Sequence, residues 1–168
     1  RKMSDVAVAK PSVIDLEKQY LFQNYSRFPL TLARGKGCYV YDTSGKRYLD
    51  LIAGIGVNAL GHAHPRIVRA LREQASLLIH CSNLYYHDFQ GPLAKRLAET
   101  SGLARVFFTN SGSESVDTAL KIALAYHRAR GEASRTRFIG RERGYHGVGF
   151  GGISVGGMVN NRKFFGAL

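Results

Sequence analysis

A short polar turn at residues 110–114 has the residue types of an anion-binding site. It follows a predicted buried strand at residues 105–109 and precedes a helical pattern of apolar residues. A helix N-terminus presents unpaired N–H groups and the positive end of the helix dipole, which suit a phosphate group. Gly112 lets the backbone approach an anion closely, and Ser113 adds a hydroxyl donor. Ordinary capping of the helix by Ser111 or Ser113 explains the same residues equally well.

A second turn, at residues 143–147, contains Tyr145 and His146 and follows another predicted strand at residues 136–139. The order strand, helix, strand predicts a βαβ unit with a parallel sheet, in which ligands bind beyond the carboxyl ends of the strands. Both turns would then face one crevice. One offers phosphate donors and the other a flat aromatic face, so together they predict a site for a planar ring that bears a phosphate. Taken alone, Tyr145 is better explained as a half-buried aromatic residue of a loop.

Four groups of motifs follow one another in order and in register over roughly residues 20–165. They are Arg34-Gly35-Lys36-Gly37 with Asp42 and Gly45-Lys46-Arg47-Tyr48-Leu49-Asp50, then Gly61-His62-Ala63-His64-Pro65, then Asn110-Ser111-Gly112-Ser113-Glu114, and finally Tyr145-His146-Gly147. Any one of these motifs is weak, but the four together resemble the class III aminotransferases.

The resemblance implies pyridoxal 5′-phosphate (PLP) as cofactor and gives the two turns their roles. The turn with Ser111, Gly112 and Ser113 matches the phosphate-binding turn of the family. Tyr145 matches the aromatic residue that stacks on the pyridine ring, and His146 lies where the family often has a residue near the cofactor. In such enzymes the cofactor is the electron sink, while the protein binds and orients it.

Two further positions are interpreted through the same resemblance. Tyr25 lies where ornithine-type enzymes place a tyrosine that contacts the substrate. His62 and His64 match a structural turn of the family, and two histidines alone rarely form a metal site, so no metal is expected.

The chain lacks two residues that the family needs for catalysis. The lysine to which the family attaches the cofactor, and the acidic residue that keeps the pyridine nitrogen protonated, both follow the Tyr-His-Gly motif in related enzymes. None of the eight lysines here has the family's setting, so no catalytic residue is assigned. We therefore expect the chain to be the front part of a longer, homodimeric enzyme that transfers an amino group from a donor to a keto acid, and to be inactive by itself.

The motifs indicate two different substrate classes. Residues 57–62 look most like acetylornithine and ornithine aminotransferases, whereas residues 141–162 look like β-alanine (ω-amino acid):pyruvate aminotransferases. Acetylornithine-type enzymes usually have an arginine for the substrate α-carboxylate where this chain has Val148. The ω-type enzymes usually have a tryptophan in the pocket, and this chain has no Trp. A natural hybrid, a separate subgroup or a chimeric chain would each explain the mixture.

The elements needed to position these residues predict an α/β fold with an incomplete sheet. The family resemblance implies that residues 1–60 are an N-terminal α+β segment belonging to a small domain, and that residues 61–168 are the first part of a cofactor-binding large domain of fold type I. The expected elements are a helix capped by Ser12, strands at 38–41 and 47–51, a helix from Pro65 to about Leu78, a helix capped by Asp88 and ended by Gly102, and a helix from Glu114 to Gly131. The Gly-rich stretch from residue 144 onward is predicted to have no closing element.

Composition restricts the remaining function classes. The 168 residues carry a net charge of +12, but Glu132 and Glu142 interrupt the basic stretch and no aromatic stacking pattern accompanies it, which argues against nucleic-acid binding. No apolar run is long enough to span a membrane. Cys38 and Cys81 form neither a disulfide framework nor a zinc motif, which fits a reducing cytoplasm.

Two alternative functions remain open from the sequence. The first is a nucleotide-binding α/β domain that uses Gly149, Gly151 and Gly152 as its loop, although the spacing of the dinucleotide fingerprint is not matched. The second is a non-catalytic fragment that binds PLP or a protein partner.

Overall fold

The computed structural model describes residues 12–165 and divides the chain into two units, one up to Tyr85 and one from Tyr86. The first eleven residues of the predicted N-terminal segment and the last three residues of the chain lie outside the described residues. Within the described part, the chain has an α/β fold whose sheet is incomplete and contains three strands.

The first unit begins with a capped helix and a small sheet. The Ser12 hydroxyl accepts the Asp15 N–H, and Asp15 in turn accepts the Ser12 N–H, which confirms the predicted cap. Its elements are α1 (Val13–Tyr20), β1 (Leu32–Lys36), β2 (Tyr39–Asp42), β3 (Arg47–Leu49), a single turn with left-handed φ angles labelled α2 (Ala53–Gly56), and α3 (Pro65–Ala75).

The three strands form an antiparallel sheet in the order β1-β2-β3. The two predicted strands are confirmed, although β2 begins one residue later than expected and β3 ends two residues earlier. Arg34 on β1 pairs with Tyr41, and its guanidinium carbon is 3.5 Å from the centre of the Tyr41 ring. The Arg47 guanidinium carbon lies 4.7 Å from the ring centre of Tyr39. Val40, on the opposite face of β2, is the buried hydrophobic residue among those described.

The hairpin between β2 and β3 closes around the carboxylate of Asp42. This group accepts the Ser44 hydroxyl at 2.6 Å, the Lys46 N–H at 3.0 Å and the Tyr48 hydroxyl at 2.8 Å. These bonds, that of the Ser44 hydroxyl first, lower the pKa of Asp42 to about 2. The carboxylate therefore stays ionised and keeps the turn closed at neutral pH.

A second carboxylate, that of Asp50, holds the segment that precedes α3. Asp50 lies 2.6 Å from Nε2 of His62, and this hydrogen bond is the main cause that lowers the pKa of Asp50. Gly37 and His62 also exchange two backbone hydrogen bonds. Pro65 then occupies the first turn of α3 as predicted, but the helix ends at Ala75 and not near Leu78. The two neighbouring histidines thus serve a turn in which His62 is paired with a carboxylate.

The second unit is helical. It contains α4 (Gln90–Ser101), α5 (Gly112–Ala129), α6 (Phe150–Val155) and α7 (Val159–Phe165), with α5 in contact with α6 and α6 in contact with α7. Gly102 ends α4 with a φ of 72°, as predicted, and Gly131 follows α5 with a φ of 76°. Among residues 12–165, no helix is long and apolar enough to cross a bilayer.

Two predictions for this unit are wrong, and two of its helices were not predicted. Segments 105–109 and 136–139 do not pair with any strand in the described residues, so the parallel pair of the predicted βαβ unit is absent. Parallel pairing is weak unless further strands extend the sheet and cover both faces, and Phe107 and Ile139 remain 72% and 101% exposed. Phe89, and not Asp88, occupies the N-cap of α4. The Gly-rich stretch from residue 144 onward, in which no element was predicted, contains α6 and α7.

Candidate functional site

The start of α5 is capped by its own residues. The Ser111 hydroxyl accepts the Glu114 N–H at 3.2 Å, and the Glu114 carboxylate accepts the Asn110 N–H at 2.7 Å. This arrangement is a variant of the capping box, in which two donors at the helix start are satisfied by side chains. Ser111 therefore acts as a cap in this structure.

The next two residues present the open donors of the helix. Among the described residues, no partner accepts the N–H groups of Gly112 and Ser113. A Cβ added at Gly112 would meet no atom within 4 Å, so the space beside its Cα is open. Both N–H groups lie at the positive end of the 18-residue helix α5. Open N–H groups at a helix start can donate hydrogen bonds to an anion such as phosphate.

The hydroxyl of Ser113 connects the helix to the second turn. Ser113 is half-buried, and its Oγ accepts the Val148 N–H at 3.0 Å across 35 residues of sequence. A serine oxygen that accepts one hydrogen bond still has its own proton to donate. Ser113 can therefore hold the loop and donate to a bound anion at the same time.

Gly147 makes this contact sterically possible. Its φ is 107°, and a Cβ at this position would lie 2.6 Å from the Ser113 Oγ and 2.7 Å from the Ser113 Cα. Only glycine combines this backbone angle with such a close approach. The base of the loop is closed by hydrogen bonds from the Arg143 N–H to the Gly157 carbonyl at 3.1 Å and from the Gly157 N–H to the Gly144 carbonyl at 2.8 Å.

The two ring side chains of this loop differ in exposure. Tyr145 is 62% exposed, which leaves its ring free to stack on a ligand. His146 is half-buried and folds back toward Gly144, where its Nε2 would lie 3.0 Å from an added Cβ. Both residues line a small depression whose other walls include Gly147, Met158 and Asn161.

Asp117 is a site residue that the sequence reasoning missed. Its Oδ1 accepts the Gly152 N–H at 3.0 Å, and a Cβ at Gly149 or Gly151 would collide with the same carboxylate. The available signal was its position four residues after Ser113, on the same face of α5. Because the Asp117 carboxylate already lies against these glycines and accepts the Gly152 N–H, they do not form the phosphate-binding loop of a nucleotide-binding domain.

The two predicted substrate residues lie in different units. Val148 is 68% exposed and places its side chain outside the contact that its N–H makes with Ser113. Tyr25, also 68% exposed, belongs to the first unit, where the Arg27 guanidinium carbon lies 6.0 Å from its ring centre. The structure thus joins Ser113 and the Tyr145 loop, and keeps Tyr25 in a separate unit.

Comparison with known proteins identifies the family. The family model described as Aminotransferase class-III matches residues 20–167. The chain belongs to this family. It is 42% identical over 156 residues to the acetylornithine aminotransferase of Caldanaerobacter subterraneus subsp. tengcongensis, which covers 93% of the chain and 40% of that enzyme. It is 50% identical over 150 residues to the omega-aminotransferase of Caulobacter vibrioides, covering 87% of the chain and 34% of that protein.

Solved structures of the family have the same fold over this region. The omega transaminase of Pseudomonas jessenii in complex with PMP superposes with a TM-score of 0.84 at 34% identity, covering 92% of the chain and 37% of that structure. The ornithine aminotransferase of Toxoplasma gondii ME49 gives 0.84 at 32% identity, covering 91% and 37%. The chain spans about two fifths or less of the length of the relatives that it matches.

Substitution of Gly147 tests whether the loop depends on close approach to Ser113. We expect Gly147→Ala to lower the free energy of unfolding by about 3 kcal/mol, because it adds both backbone strain and a clash. Gly131→Ala is the matched control, since Gly131 also has a positive φ but an added Cβ there meets nothing within 4 Å. It should cost only about 1 kcal/mol. Urea unfolding measures both values, and equal losses would contradict the steric role of Gly147.

Proposed function

We propose that this chain provides the phosphate and ring contacts for PLP in an enzyme that transfers an amino group from an amine, ω-amino acid or ornithine-type donor to a keto acid. The observation that carries the proposal is the hydrogen bond from the Val148 N–H to the Ser113 hydroxyl. It joins the open N-terminus of α5 to the loop that carries Tyr145, so donors for a phosphate and a face for a ring lie in one place.

The residues at the start of α5 fit the phosphate group. Gly112 and Ser113 offer two N–H groups and one hydroxyl proton at the positive end of a helix dipole. A phosphate monoester carries close to two negative charges at neutral pH, and charge-assisted hydrogen bonds of this type are about twice as strong as neutral ones. Ser111 supports the same turn as its cap.

The loop residues fit the pyridine ring. Tyr145 offers an exposed aromatic face, and the neighbouring His146 lines the depression beside it. When bound, the cofactor supplies the electron sink for amino transfer, and these protein groups hold and orient it. Their assignment follows from the match between this loop and the Tyr-His-Gly motif of the family.

We further propose that the chain is part of a longer, homodimeric protein that contributes the catalytic lysine. None of the eight lysines has the setting of the family's cofactor lysine, and the chain spans 34–40% of the curated relatives named above. Exposed Phe107 and Ile139, in segments predicted as strands, would gain cover from additional strands. Both cysteines are free thiols, which supports a cytoplasmic location.

The donor is proposed from Val148 and from the mixed relatives. A valine cannot make the bidentate contact that an arginine makes with a carboxylate. Substrates held mainly through an α-carboxylate should therefore be poorer than ω-amino acids or amines, unless another arginine serves them. Tyr25 is proposed as a substrate contact, supported by its match to ornithine-type enzymes.

An amino-transfer assay tests the function. The chain itself and the product of the complete reading frame that encodes it should be incubated with PLP, pyruvate or 2-oxoglutarate, and each of ornithine, acetylornithine, β-alanine and a simple amine. We expect turnover by the longer product and none by the 168 residues, because proton transfer at the reacting carbon requires the missing lysine. No turnover by the longer product would refute the proposed activity. Turnover by the 168 residues, with one lysine trapped by borohydride reduction, would refute the proposed division.

Replacement of Val148 tests the proposed donor preference in the longer product. Val148→Arg should raise the ratio of kcat/KM for acetylornithine to that for β-alanine by about tenfold, from a new bidentate contact with the carboxylate. The backbone contact with Ser113 should survive, since the side chain is exposed. Val159→Arg, at a 76% exposed valine of α7, controls for added charge and should leave the ratio unchanged. A parent enzyme that already prefers acetylornithine would contradict the argument.

A further inference from the structure

The loop that carries Tyr145 is attached to α5 at two points with matching spacing. Ser113 accepts the Val148 N–H, and Asp117 accepts the Gly152 N–H, each at 3.0 Å. The acceptors are four residues apart on α5. The donors are also four residues apart, with Val148 on the loop and Gly152 in the first turn of α6. Residues four apart lie on the same face of a helix, about 6 Å from each other along its axis. The two bonds therefore fix both the position and the direction of the loop.

Asp117 also replaces the cap that α6 lacks. Gly149 is the N-cap residue of α6 and has no side chain to accept the first N–H groups of this helix. The Gly152 N–H, in the first turn, is accepted instead by Asp117 from the neighbouring helix. A carboxylate at a helix N-terminus is favourable both as an acceptor and through the helix dipole. The start of α6 thus depends on a residue 35 positions earlier in the chain.

The glycines next to Asp117 leave the space that its carboxylate occupies. A Cβ on Gly151 would lie 2.5 Å from Oδ1 of Asp117 and 3.1 Å from Cδ1 of Leu120. A Cβ on Gly149 would collide with the same carboxylate. A side chain at either glycine would therefore require the Asp117 carboxylate to move.

We propose that Asp117 is a positioning residue that holds the 145–152 loop against α5 and so sets the place of Tyr145 over the cofactor ring. The cofactor half of this inference rests on the proposed function. The anchoring of the loop does not, because it concerns contacts within this chain. Asp117 itself touches loop backbone, and it acts on the ring site through Tyr145.

Hydrogen exchange of the chain, without ligand, tests the anchor. In Asp117→Ala we expect exchange of amides in residues 145–157 to become about tenfold faster, the effect of losing one charge-assisted hydrogen bond. Exchange in the β2–β3 hairpin should not change. Asp117→Asn keeps an oxygen acceptor of the same shape and should behave much more like the original chain. Unchanged exchange in Asp117→Ala, or Asp117→Asn as fast as Asp117→Ala, would overturn the proposal.

A second variant keeps the test decisive if Asp117→Ala does not fold. Gly151→Ala leaves the carboxylate in place but pushes against it, so it should also release the loop, although alanine favours helix more than glycine does. Gly91→Ala in α4 is the matched control, since its Cβ meets nothing within 4 Å and should not speed exchange anywhere. Loop exchange in Gly151→Ala no faster than in the control would contradict the proposal.

Ligand binding tests the link to the cofactor site. The probe is pyridoxamine 5′-phosphate, which has no aldehyde to react with lysines, and inorganic phosphate serves as the comparison. Asp117→Ala should weaken binding of the probe by about tenfold but that of inorganic phosphate less than twofold, because the ring contact is lost while the helix N–H groups remain. Equal weakening of both ligands would refute a role through Tyr145. An original chain that binds neither ligand would refute the proposed function, while the exchange result would still decide the anchor.

Discussion

The hydroxyl group of Ser113 is the point on which the site depends. It accepts a hydrogen bond from the Val148 N–H, and it belongs to the first turn of α5, where the helix has free N–H donors. Its oxygen can accept from the loop while its proton donates to an anion. The position of the proposed ring site is therefore tied to the position of the proposed phosphate site through one atom, so a change at either end alters the other.

Glycine allows this construction because the loop contacts the helix through its backbone. Gly147 approaches Ser113, and Gly151 approaches Asp117, at distances that exclude any side chain. Since the backbone makes the internal contacts, the side chain of Tyr145 remains available for a ligand. The glycines of this stretch hid the helical pattern of α6 in the sequence, and the same glycines let the loop lie against α5. Asp117 supplies the cap that a glycine-started helix cannot provide for itself.

Local signals predicted α1, α3, α4 and α5, because caps, apolar spacing and terminating glycines act within a few residues. Ser12 begins α1 as its N-cap, and Gly102 ends α4. Pairing of strands is not local, and the apolar segment at 105–109 carried no information on whether a neighbour strand would be present. Asp117 was missed for a similar reason, since its partner lies 35 residues away. Motif resemblance, and not periodicity, gave Ser113 and Tyr145 their proposed roles.

The central claim is that the start of α5 and the Tyr145 loop form one binding site. Amide chemical shifts of the ¹⁵N-labelled chain, titrated with pyridoxamine 5′-phosphate, test it directly. We predict that Gly112, Ser113 and residues 145–148 shift together with a single dissociation constant, while the β2–β3 hairpin does not respond. Ser113→Ala should raise the dissociation constant obtained from either set of shifts by the same factor, about tenfold. Shifts confined to one of the two segments, or different constants for each, would contradict a shared site.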